Sequence, residues 1–169
     1  MTARPEFASR AEAAEAVRAG LGYLAAIDPA QLPATAQAEL LQLLEEAHAL
    51  ETAARAQGLR AFAAAQGYHE DACYGAKSWL TTRLGVTKGA ATAYLRWARR
   101  AGAHPRVLAA LAAGDIWESV AATVCGWTGR LPQDCQDAAD AILVAAAAAG
   151  TQLTDLAELA AEIYTRSLG

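Results

Sequence analysis

Apolar residues recur every three or four positions within alanine-rich segments of this chain, and nowhere is a strict apolar–polar alternation sustained. That spacing fits helices and argues against a sheet, because a half-buried strand needs a period of two. Only five prolines interrupt 169 residues, and alanine has the highest intrinsic helix propensity. The expected fold is therefore all-α, with about seven to eight helices. The length suits a single domain spanning 1-169.

Capping signals divide the chain. A disordered start is expected over 1-8. Ser9-Arg10-Ala11-Glu12 fits a capping box and opens a first helix to about Ile27, where Asp28-Pro29 breaks it. A long second helix is predicted from Pro33, placed at N1, to about Gln66, with apolar positions at Leu40, Leu41, Leu43, Leu44, Ala47, Leu50, Ala54, Ala61 and Phe62. These two form a long antiparallel N-terminal pair over 9-66. A loop at 67–75 precedes a short helix carrying Ala76, Trp79, Leu80 and Leu84, which Gly85 ends. Thr87 caps the next helix, Lys88 to about Ala101, and His104-Pro105 stops it because the residue before proline disfavours the helical region. The C-terminal part, 105-168, should hold helices at Pro105 to Ala113, Trp117 to Cys125 and Gln133 to Ala149, then a last one capped by Thr154.

Several classes of function receive no support. The longest uncharged stretch, Ala141 to Thr154, is too short and too weakly apolar to cross a bilayer. The N-terminal residues do not lead into an apolar signal segment, so the default address is cytoplasmic. Cys73, Cys125 and Cys135 are odd in number and widely spaced, as suits reduced thiols in a helical core. His69 and Cys73 have helical ligand spacing, but no second pair completes a metal site. Gly85-Val-Thr-Lys-Gly89 lacks the spacing of a phosphate loop. Glu70 and Asp71 are adjacent carboxylates with no nucleophile or base near in sequence. His48 beside Glu45 and Glu51 reads as a structural histidine. The expectation is a chain with no enzyme activity, no cofactor, no metal and no small-molecule substrate.

Charge is the functional lead. Lys77 to Arg106 holds seven of the 14 basic side chains and no acid, whereas the rest of the chain sets seven bases against 18 acids. An otherwise acidic chain that gathers its positive charge in one window directs the search for an anionic partner there. The window also reads as helix, turn, helix over 75-102, with Leu80, Leu84, Val86, Ala91 and Tyr94 as locking contacts and Gly85 in the turn. Lys88, Thr92, Arg96 and Arg99 form one stripe on the second of these helices. In a DNA-binding reading, Lys88, Thr92 and Arg96 lie near base edges, while Lys77, Arg83, Arg99, Arg100 and Arg106 meet phosphates. Neutralising about five phosphates gives a log–log salt slope of about -4 to -5. Trp79, Trp97, Trp117 and Trp127 are expected mainly in helix packing, with Trp97 also weighed as a base-stacking residue. The competing reading pairs the basic side chains with acids from elsewhere, such as the long second helix, and uses that helix and Ala141 to Ala149 for a homodimer or protein partner.

The runs Tyr74-Gly-Ala-Lys-Ser-Trp-Leu80, Leu84-Gly-Val-Thr-Lys-Gly-Ala-Ala91, Leu95-Arg-Trp-Ala-Arg-Arg100 and Pro105-Arg-Val-Leu-Ala-Ala-Leu-Ala-Ala-Gly-Asp-Ile116 together resemble the 13E12 repeat family. The resemblance spans about Leu21 to Arg166. It implies a helical domain of the kind abundant in actinobacteria and usually placed before an HNH endonuclease domain. It further implies a setting in DNA metabolism. No His-Asn-His site follows Arg166, so the expectation is a non-catalytic DNA-binding or targeting module.

Overall fold

The computed structural model describes residues 7–167, and among them every regular element is helical. The helices are α1 (Arg10–Ala26), α2 (Ala34–Ala64), α3 (Ala76–Arg83), α4 (Lys88–Ala103), α5 (Pro105–Ala113), α6 (Glu118–Thr128), α7 (Gln133–Ala148) and α8 (Leu153–Ser167), with short 3₁₀ turns at Pro29–Gln31 and Gly67–His69. The all-α expectation holds. The expected disordered start at 1-8 lies outside the described residues as far as Glu6. The chain divides into two units, one up to Leu41 and one from Gln42 onward, so the division falls inside α2 rather than in a loop.

The first unit contains α1, the 3₁₀ turn and the start of α2. Half of the capping box forms: Glu12 N–H donates to Ser9 Oγ at 3.2 Å, while the Glu12 carboxylate accepts from Ala8 N–H at 2.7 Å, one residue before the cap. Gln37 Nε2 ties the turn together by donating to the carbonyls of Pro29 and Leu32, both at 3.0 Å. Pro33 stands one residue before α2 rather than at N1, with its carbonyl accepting from Gln37 N–H. No residue of α1 is buried.

In the second unit α2 turns an unexpected face inward. Its buried residues are Ala49, Thr52, Ala53, Ala56 and Leu59, whereas Leu43, Leu44 and Leu50 remain exposed. Alanines at spacings of four and three form a smooth face that larger side chains of neighbouring helices cover, excluding water. Ala49, Ala53 and Ala56 join Val107, Leu111, Val124, Leu143 and Leu156 in the larger core cluster. Each of those larger side chains contributes about 2 kcal/mol through burial. A second cluster gathers Leu59, Ala76, Leu80, Ala91 and Ala98, with Phe62, Tyr68 and Trp79 packed against it. Helices α2 and α4 contribute to both clusters and so join the α3–α4 pair to the α5–α8 bundle.

Three sequence expectations are corrected. Helix α6 begins after Trp117 and runs past Cys125 to Thr128, where Thr128 Oγ1 back-bonds to Val124 O. Thr154 does not cap α8, which already starts at Leu153; its hydroxyl instead meets the Asp155 carboxylate at 3.5 Å. Leu84 is not a locking contact, being 56% exposed. The stop of α5 is as expected: Gly114 has φ +76, a left-handed conformation in which a side chain is strained, and Asp115 N–H returns to Ala110 O.

A buried polar hub joins three elements of the bundle. Asp140 on α7 accepts from Thr128 Oγ1 on α6 at 2.6 Å and from His104 Nδ1, at the α4–α5 junction, at 2.9 Å. All three residues are buried. His104 sits there because Pro105 forces it out of the helical region, to φ -128 and ψ 66, which ends α4 and turns the imidazole inward. The hub therefore fixes the C-terminal end of α4 against the bundle.

Candidate nucleic-acid interface

Helices α3 and α4 pack against each other across the turn Leu84 to Thr87. Gly85 adopts φ +66 in that turn, and Thr87 Oγ1 accepts from Ala90 N–H at 3.2 Å to cap α4. Leu80 and Ala91 are buried between the two helices, with Val86, Tyr94 and Leu95 packed around them. Four of the five expected locking residues thus meet. The result is a helix-turn-helix-like unit whose second helix buries Ala91, Trp97, Ala98 and Ala101.

The buried side of α4 leaves the opposite side to solvent. At 100° per residue, Lys88, Thr92, Arg96 and Arg99 fall within about 80° of arc, and Lys88 to Arg99 spans about 16 Å. Lys88, Arg96 and Arg99 are exposed, Thr92 is half-buried, and Lys77 is exposed near the start of α3. Among the described residues none of these four cations has a carboxylate within ion-pair distance. Thr92 Oγ1 donates to the Lys88 carbonyl at 2.8 Å, which commits its proton to the backbone and leaves it only acceptor capacity.

The other basic side chains of the window are already engaged. Arg83 pairs with Asp71, whose carboxylate also accepts from Trp79 Nε1 at 2.6 Å. The Trp79 bond first and the Arg83 bond second hold the Asp71 carboxyl below its ordinary range. Arg106 makes a two-pronged pair with Asp137, Nε to Oδ1 and Nη2 to Oδ2, both at 2.8 Å. That contact lowers the Asp137 carboxyl and raises the Arg106 guanidinium. Arg100 lies over the Trp97 ring, 4.9 Å from its centroid. Acids do enter the acid-free window, then, but from the loop before α3 and from α7. Among the described residues, the one ion pair made by α2 joins its own Glu51 and Arg55.

Trp97 is buried, and its Nε1 donates to Glu118 at 2.8 Å, so its ring is a packing element and not a free stacking surface. The aromatic next to this unit that does face solvent is Tyr74, 98% exposed in the loop before α3. Reading by periodicity passed over it because it lies outside any helix. All three cysteines are free thiols; Cys73 and Cys125 are buried and Cys135 is half-buried. Burial pushes the Cys125 thiol up to about 12. Among the described residues no three His, Cys, Asp or Glu side chains converge as a metal site, and no helix is long and apolar enough to cross a membrane.

No protein-family model, curated protein or solved structure matches this chain.

Proposed function

We propose that this chain is a non-catalytic DNA-binding or targeting module that works in the cytoplasm and is related to the 13E12 helical domains found before HNH endonuclease domains. The observation that carries the reading is the exposed stripe of Lys88, Arg96 and Arg99 on α4, joined by Lys77 on α3, with no acid within ion-pair distance among the described residues. Cations held on a rigid helix without internal partners lose little when they meet phosphates, and a helix-turn-helix-like pair is a frame that lays such a stripe along a groove. With Arg83, Arg100 and Arg106 engaged, the remaining Lys77, Lys88, Arg96 and Arg99 contact about four phosphates. The log–log salt slope is then about -3 to -4, shallower than composition alone suggests.

Fluorescence anisotropy with labelled DNA at about 50 and 200 mM salt tests the reading. Wild-type protein binds with that slope, and the double variant Arg96→Glu/Arg99→Glu loses binding while keeping its circular dichroism spectrum and melting temperature. Unchanged affinity in the folded double variant rejects this face as the contact surface.

A second reading, a helical interaction or dimerisation domain without nucleic-acid binding, draws on the first unit. Val17, Tyr23 and Leu41 are 59%, 70% and 66% exposed, and α1 buries nothing among the described residues. Isolated large apolar side chains are ordinary on a surface, but a helix with only a few half-buried residues has little packing to hold it. Absence of DNA binding at low salt, together with a salt-insensitive dimer, favours this reading.

A further inference from the structure

We infer that Tyr74 is a stacking platform for an unpaired base, so that the nucleic acid held by the basic unit has single-stranded character; this rests on the nucleic-acid reading above.

Tyr74 is almost wholly exposed, yet the loop carrying it is firmly built. Gln66 and Ala72, neither of them glycine, take left-handed conformations at φ 53 and 56, a cost that persists only where surrounding contacts fix the backbone. Those contacts are present. His69 N–H donates to Gln66 O at 2.9 Å, Ala72 N–H to His69 O at 3.0 Å, and Cys73 N–H to Tyr68 O at 3.0 Å. Phe62 packs on Trp79 with ring centroids 4.5 Å apart and edge-on to Tyr68 at 6.4 Å. Trp79 in turn donates to Asp71, which also holds Arg83. Cys73 before Tyr74 and Ala76 after it are both buried. The chain is thus pinned on either side of a phenol ring that rests on almost nothing.

A surface tyrosine normally lays one face of its ring over neighbouring side chains. A ring held clear of the surface keeps both faces open, and the pinned backbone on either side fixes where it is presented, so stacking has only the side chain itself left to order. Sequence places Lys77 three residues later, in the first turn of α3, exposed and without an ion pair among the described residues. An open aromatic face together with a cation a few residues along the chain is a combination that retains single strands. In an intact duplex both faces of each base are already occupied, so the ring finds a partner only where bases are unpaired. The stacking face, not the hydroxyl, does the work.

Anisotropy titrations of the full chain with a short oligothymidylate and with a duplex of equal length test this, using wild type, Tyr74→Ala and Tyr74→Phe. Wild type prefers the single strand. Tyr74→Ala weakens single-strand binding about tenfold, with less than about a twofold change on the duplex, and Tyr74→Phe stays close to wild type. The ring packs against little, so melting temperatures remain unchanged. If wild type binds DNA and Tyr74→Ala binds the single strand equally well, or weakens equally on both substrates, the stacking role is rejected and the basic interface stands. If wild type binds neither DNA at low salt, the nucleic-acid reading falls and takes this inference with it.

Discussion

His104 Nδ1 lies 2.9 Å from Asp140 Oδ2 inside the bundle, across 36 positions of sequence, and the other Asp140 oxygen accepts from Thr128. Asp140 is 1% exposed, so its carboxylate depends on these two donors in place of water. Removing it leaves the buried imidazole short of its acceptor, while the Thr128 hydroxyl falls back on the Val124 carbonyl alone. Asp140→Ala is expected to lower stability by about 3 kcal/mol and Thr128→Val by about 1 kcal/mol, read from urea unfolding midpoints. The double variant loses less than the sum of the two, because both act on one network. Full additivity would show that the two contacts are independent.

Arg106 and Arg99 look alike in sequence but differ in what they touch. Arg106 is clamped by both oxygens of Asp137, whereas Arg99 has no acid within ion-pair distance among the described residues. Arg106→Ala is therefore expected to change DNA affinity by less than about threefold, while Arg99→Ala reduces the salt slope by about one unit. Freeing Arg106 through Asp137→Ala strengthens binding. Equal losses for Arg99→Ala and Arg106→Ala in anisotropy titrations would show that the Asp137 pair opens on binding.

Local signals were legible in the sequence because they act over a few residues. Ser9, Thr87, Pro105 and Gly114 set helix ends where their side chains and backbones dictate. The stripe of Lys88, Thr92, Arg96 and Arg99 followed from helical spacing alone. The partners of Arg83 and Arg106 were not legible, because Asp71 and Asp137 lie 12 and 31 residues away and only the tertiary fold brings them in. The long helix α2 was misread for a different reason. Its leucines are more hydrophobic than its alanines, but the tertiary fold of the second unit turns Ala49, Ala53 and Ala56 to the interior, where the larger side chains of other helices cover them. Exposure of Tyr74 left no periodic trace, since one loop residue has no spacing to read.

Asp71 gives a pH signature. Its carboxyl is held below the ordinary value of 3.8 by the Trp79 and Arg83 hydrogen bonds. A depressed carboxyl contributes stability that is fully present well above 3.8, begins to fade as pH falls through that value, and is gone below the folded-state value. Wild type is thus expected to unfold at higher urea than Asp71→Asn at neutral pH, with the gap closing on acidification below about pH 4. The Asp137–Arg106 pair adds a second contribution of the same sign. A gap that stays constant down to strongly acidic pH would mean that the substitution costs packing or hydrogen-bond geometry rather than charge.

The three thiols separate by burial. Cys125 is held up to about 12 by its apolar surroundings, with the nearby Arg100 opposing that rise only in part. A thiol in that state carries almost no thiolate at about pH 8, and thiolate is the reacting form. Cys73 is also buried, and its Sγ lies 3.6 Å from the Asp71 carbonyl under the loop that carries Tyr74. Cys135, in the first turn of α7, is half-buried and so the most accessible of the three. In a kinetic assay with an aromatic disulfide reagent, Cys135 is expected to react first, Cys73 on local opening of its loop, and Cys125 only on global unfolding. Single-cysteine variants assign each phase. Cys125 reacting as fast as Cys135 in the native protein would mean that the α6–α7 packing opens without unfolding. Addition of single-stranded DNA should slow the Cys73 phase selectively, because a base stacked on Tyr74 holds the same loop closed.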